Sequence, residues 1–158
     1  MRLFLAVLAG KLIFLLTRIF KLGGGSAAPG LYALKIDPNL VTKLSNKVPH
    51  NLIITGTNGK TTTARLLAQL LRDSGQKVIR NSTGSNLERG IASSLISAVN
   101  LGGCKLKYDI GLWELDEAAF NPVALKLNPK AVVFLNVFRD QLDRYGEVDS
   151  TLKNGKRR

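Results

Sequence analysis

The chain has 158 residues, 45% of them apolar, and its 23 Lys and Arg against 11 Asp and Glu give a formal charge of +12. This length and apolar content give one domain with a real core and exclude an intrinsically disordered chain. The single cysteine, Cys104, excludes an intrachain disulfide framework and a cysteine-based zinc site, and it fits a reducing compartment.

The positive charge is unevenly placed. Residues 1–50 hold seven basic residues and one acidic, whereas the last third is nearly balanced and owes its excess to Lys153, Lys156, Arg157 and Arg158. Acidic residues concentrate between Asp109 and Asp149, where a metal-binding wall is expected. Leu3–Phe20 is apolar except for Thr17, Gly10, Lys11 and Arg18, and its unbroken runs are too short to span a bilayer. Residues 1–22 therefore read as an amphipathic helix whose Lys11, Arg18 and Lys21 share one face, suited to an anionic membrane surface or, alternatively, to packing on a core. A secretory signal is disfavoured, because Lys11 interrupts the apolar region and no small-residue cleavage site follows. Residues 23–50 read as a linker, Gly23 to Gly30, and a lead-in to the next element.

From residue 51 short apolar runs alternate with helical patterns. Leu52–Thr55 predicts a strand, Lys60–Asp73 a helix with Ala64, Leu67, Ala68 and Leu71 on one face, and Gly75 its cap. Val78–Ile79 opens a second strand and Glu88–Val99 a second helix, with Ile91, Leu95, Ile96 and Val99 at helical spacing. Ile110–Leu115 and Ala131–Val137 are two further strands of the kind that parallel sheets bury on both faces. The predicted fold class is α/β, a parallel sheet with flanking helices over residues 51–152, preceded by the amphipathic helix and followed by a basic tail at 153–158.

The strongest local signal is Thr55-Gly56-Thr57-Asn58-Gly59-Lys60-Thr61-Thr62-Thr63, placed where a strand must turn into a helix. Gly56 and Gly59 allow the backbone to fold so that successive N–H groups point at phosphate oxygens, aided by the positive end of the helix. Lys60 is placed to reach the outer phosphates and Thr61 to ligate Mg²⁺. Ile54 stands where the general phosphate-loop pattern has its first Gly, so the match is to a shorter G-x-x-G-K-T form. Such a site needs acidic groups at the ends of neighbouring strands, and Glu114 and Asp140 are the candidates. Spacing alone does not rank Asp116, Glu117, Asp143 and Glu147.

These residues carry a resemblance. The loop Thr55–Thr63 resembles the ATP-binding loop of the Mur ligases, and Asn136-Val137-Phe138-Arg139-Asp140-Gln141-Leu142-Asp143-Arg144-Tyr145 is similar to a second signature of that family. Thr61, where the related folate-polyglutamating ligases usually have Gly, points to the cell-wall branch. Trp113–Ala118, Asp140–Glu147, Asn81–Leu87 and Leu34–Leu40 resemble the amidating members of that branch. The resemblance implies amidation of the D-isoglutamate α-carboxyl of lipid II through an acyl-phosphate, with ammonia from a glutamine amidotransferase partner. It implies that Gly56, Thr57, Asn58, Gly59, Lys60, Thr61, Thr62 and Asn136 bind ATP, and that Thr61 and Glu114 hold Mg²⁺. Lys60, Glu114 and Asp140 would be the catalytic residues, and Gln141 replaces a metal-binding His found in many members. A cytoplasmic protein, peripheral on the inner face of the plasma membrane, is expected.

Family members continue through a cysteine-rich zinc ribbon and a further C-terminal domain, which this sequence does not contain. It reads as a fragment, expected to bind nucleotide without catalysing amidation; the alternative is a non-catalytic ATP-binding module with a membrane-surface helix. A nucleic-acid partner is not expected, because the basic stretches lack interleaved aromatic residues.

Overall fold

The computed structural model describes residues 1–20, 27–81, 85–101 and 105–136. Its elements are α1 (Arg2–Ile19), α2 (Ala28–Ile36), α3 (Leu40–Ser45), β1 (His50–Thr55), α4 (Lys60–Asp73), β2 (Val78–Arg80), α5 (Glu88–Ala98), β3 (Ile110–Leu115), α6 (Glu117–Leu127) and β4 (Ala131–Phe134). The four strands form one parallel sheet in the order β2-β3-β1-β4. It is an α/β fold with helices flanking the sheet, as the alternation of short apolar runs and helical patterns implies. No described helix is long and apolar enough to cross a membrane.

β1 and β3 lie at the centre because their side chains can be buried on both faces; all six residues of β3 are buried, Glu114 among them. Alternation along the strands sorts the core into two layers. Ile54 and Leu112 pack with Ala64 and Ala68 of α4 on one face. Ile53, Trp113 and Leu115 pack on the other with α5, α6 and the N-terminal helices, through residues such as Ile91, Leu95, Leu40 and Val123. The Trp113 indole N–H donates to Asn51 Oδ1 at 2.9 Å, and Asn51 Nδ2 donates to the Ser45 carbonyl at 3.1 Å. That chain of bonds satisfies the polar atoms of the largest buried side chain and ties α3 to the two central strands.

Three helices had no counterpart among the expected elements. Ala28–Ile36 is helical, so the expected linker to Gly30 ends earlier, and residues 21–26 are outside the described residues. Pro29 is tolerated there because it sits in the first helical turn, where its missing N–H costs nothing. Gly30 is required by packing: a Cβ would lie 2.0 Å from the Arg89 carbonyl of α5 and 2.8 Å from Ser93 Oγ, which accepts a bond from the Gly30 N–H at 2.9 Å. Gly30→Ala is therefore expected to push α2 off α5 and to cost about 2 kcal/mol, the usual overpacking penalty, read as a lower thermal midpoint. The short α3 follows, within the region expected as a lead-in. Glu117–Leu127 forms α6 in spite of Pro122 in its interior, the residue that obscures its helical pattern.

β4 is the one strand whose surroundings differ from expectation. It was expected to be buried on both faces, yet Val133 and Phe134 are 38% and 46% exposed; β4 is an edge strand paired only with β1 among the described residues. The strand ends at Phe134, short of the expected Ala131–Val137, since Leu135 and Asn136 lie outside it; Val137 is outside the described residues.

Candidate functional site

The turn from β1 into α4 is made by two glycines in conformations that L side chains rarely adopt, Gly56 at φ 134° and Gly59 at φ 85°. Gly56 is also held by space: a Cβ there would lie 2.8 Å from the Asn136 carbonyl oxygen. Gly59 is the N-cap of α4, so the first N–H groups of that helix, at Lys60, Thr61 and Thr62, open at the carboxyl ends of β1 and β3. Thr61 and Thr62 are exposed on this first turn.

Asn136 fixes the loop from the side. Its carbonyl accepts from the Thr57 N–H at 2.9 Å, its Oδ1 accepts from the Asn58 N–H at 2.9 Å, and its Nδ2 donates to the Asn58 carbonyl at 3.1 Å. Asn136→Ala removes both side-chain bonds, each worth about 1 kcal/mol. The Asn58 amide is then expected to exchange with solvent about tenfold faster, measured by hydrogen exchange.

Carboxylates close the other side. Thr61 Oγ1 donates to Glu114 Oε2 at 2.7 Å, and Arg80 Nη1 lies 3.4 Å from Glu114 Oε1. Glu114 is only 2% exposed, so this buried charge is paired rather than stranded. Asn81 holds the backbone of Glu114 from both sides, accepting from its N–H and donating to its carbonyl, each at 2.8 Å. The Lys60 ammonium turns back onto the Gly56 carbonyl and lies 3.4 Å from Asp116 Oδ1 and 3.9 Å from Glu117 Oε2. Glu117 also accepts from Thr57 Oγ1 at 2.9 Å. Next to this cluster is a recess of about 410 Å³ lined by Thr61, Asn81, Ser85, Asn86, Arg89 and Glu114 among others. Ser85 Oγ there is buried with no hydrogen-bond partner among the described residues.

The structure thus brings together Gly56, Thr57, Asn58, Gly59, Lys60, Thr61, Glu114 and Asn136, and sets Thr62 on the helical turn beside them. Asp140 and Gln141 lie outside the described residues. Asp116 and Glu117, which spacing did not rank, prove to face Lys60, because they directly follow β3 and β3 pairs with β1. Hard oxygen donors on Thr61 and Glu114, set 2.7 Å apart, suit Mg²⁺. That ion typically takes one or two protein oxygens and completes its shell with water and phosphate.

Fold and site together define a parallel α/β domain with a glycine-built strand-to-helix loop, one lysine at the helix head and carboxylates facing it. A family model described as the Mur ligase middle domain matches residues 54–157, and the chain belongs to the Mur ligase family. It is 37% identical over 130 residues to the lipid II isoglutaminyl synthase (glutamine-hydrolyzing) subunit MurT of Staphylococcus aureus (strain COL), covering 82% of this chain and 29% of that protein. It is 36% identical over 148 residues to the MurT subunit of Streptococcus pneumoniae (strain ATCC BAA-255 / R6), covering 93% of this chain and 32% of that protein. A UDP-N-acetylmuramoylalanine--D-glutamate ligase of Caulobacter sp. (strain K31) is 34% identical over 104 residues, 66% of this chain and 20% of that one. The chain therefore spans about a third or less of the length of these relatives.

Proposed function

We propose that this chain forms the ATP-handling part of a peptidoglycan ligase that amidates the D-isoglutamate α-carboxyl of lipid II. In that reaction the substrate carboxylate takes the γ-phosphoryl group of ATP, releasing ADP and forming an acyl-phosphate. Ammonia, released from glutamine by an amidotransferase subunit, then attacks the acyl carbon, phosphate leaves and the amide remains. The observation that carries this reading is the Thr61–Glu114 pair beside Lys60 at the head of α4, supported by the likeness to the two MurT subunits.

Phosphoryl transfer to a carboxylate asks the protein chiefly for positioning and charge neutralisation. The N–H groups that open α4 orient the phosphates, Lys60 turns from Gly56 and the acidic pair toward them, and Asn136 keeps the loop in shape. Mg²⁺ held by Thr61 and Glu114 would supply additional positive charge against the phosphate oxygens. An ATP-consuming reaction of this kind belongs in the cytoplasm.

The test is calorimetric titration with ATP, with and without Mg²⁺, followed by phosphate release in the presence of lipid II, glutamine and the amidotransferase subunit. ATP binding that Mg²⁺ strengthens supports the reading, with no lipid II-dependent turnover expected from this part of the ligase by itself. A chain that binds no ATP, or binds it equally without Mg²⁺, removes it.

A further inference from the structure

We propose that the outward face of α1 is a docking surface for anionic lipid, on which the chain lies flat without crossing the bilayer. α1 packs against the domain chiefly with small residues and presents most of its large ones to solvent, the reverse of an ordinary packed surface helix. Ala6 and Val7 are fully buried, and Gly10 sits so close to α5 that a Cβ would lie 2.9 Å from Ile96 Cδ1. Leu5, Leu8, Leu12, Leu15, Leu16 and Ile19 face outward and are 42–61% exposed. Half of six such side chains is on the order of 500 Å² of contiguous apolar surface, at the upper end of what a monomer leaves open. The neighbouring α2 leaves Leu31 and Tyr32 exposed as well.

Charge decides the occupant. At about 100° per residue the six outward residues fall within an arc of about 100°, with Lys11 and Arg18 bordering one side and Arg2 the other. Residues 1–36 hold five basic residues and no acidic one. A second copy docked face to face would bury the apolar strip but bring the cations of both copies together with no carboxylate to offset them. An anionic lipid surface offers acyl chains to the strip and phosphates to its borders. No described helix is long and apolar enough to cross a membrane, and Lys11 stands near the middle of α1.

The experiment is sedimentation of the full chain with vesicles of phosphatidylcholine alone and of phosphatidylcholine mixed with phosphatidylglycerol. The mixed vesicles are expected to bind at least about tenfold more tightly, from two to three basic residues near the surface. Leu12→Glu with Leu15→Glu, both at exposed positions, should lower that binding at least about tenfold with an unchanged melting temperature. Lys11→Gln with Arg18→Gln should abolish the preference for the mixed vesicles and decides alone should the glutamate pair fail to fold. Equal binding to both vesicle types overturns the proposal. So does undiminished binding by the folded glutamate pair, or a wild-type chain that ignores vesicles, whether monomeric or self-associated.

Discussion

Lys60→Ala is expected to weaken ATP binding about 100-fold while leaving the fold intact. Its ammonium stands at the head of α4, 11% exposed and already within 4 Å of two carboxylates, Asp116 and Glu117. Charge-assisted bonds to phosphate oxygens contribute about 1.5–3 kcal/mol each, and about 2.7 kcal/mol corresponds to 100-fold. The side chain opens α4 and belongs to neither core layer, so the melting temperature should shift little. Titration with a fluorescent ATP analogue reads the affinity and circular dichroism the fold. An affinity unchanged to within threefold would show that the phosphates do not lie at this loop. Lys60→Arg is a useful companion: the planar guanidinium keeps the charge but does not fit the curl made by the Gly56 carbonyl, and most of the affinity should still be lost.

Glu114→Gln is expected to act twice, on Mg²⁺ and on stability. With the negative charge gone, Mg²⁺ should no longer strengthen ATP binding, which titration at several Mg²⁺ concentrations measures. The same change leaves Arg80 with no carboxylate among the described residues, and Arg80 is itself 13% exposed. Breaking a fully buried ion pair costs about 3–5 kcal/mol; the partial access of Arg80 to water puts the expected loss nearer to about 2 kcal/mol, measured by urea denaturation. Adding Arg80→Met should recover most of that stability, since an apolar side chain replaces the stranded charge, and none of the Mg²⁺ response. Recovery of both together would mean that Glu114 affects the metal only through the fold.

The parts of this architecture that were legible in the sequence are those set by local chemistry. The helix Lys60–Asp73 follows from its periodicity and its terminal glycine, and the loop before it from two glycines between an apolar strand and a helix. The adjacency of Thr61 and Glu114 could be anticipated only as a requirement of phosphate chemistry; its cause is the pairing of β1 with β3, which sets Ile54 opposite Glu114. Nothing in the order of the strands along the chain says that β3 inserts between β1 and β2. For the same reason Asp116 and Glu117 could not be assigned to Lys60 in advance, while Pro29 and Pro122 hid two helices that tertiary packing supports. In α1 the basic residues were visible, but which side faced the domain was not. That is settled by Gly10 fitting against Ile96, a residue far along the chain.

The buried indole on β3 also turns the protein into its own spectroscopic probe. Trp113 is the only tryptophan in the sequence, fully buried, bonded to Asn51 and one residue from Glu114. Its fluorescence therefore reports one place, the central strand beneath the candidate site, with no competing emitter of its kind. Loss of the sheet should move that emission to the red and open it to acrylamide quenching, so the stability of each variant above can be followed without a label.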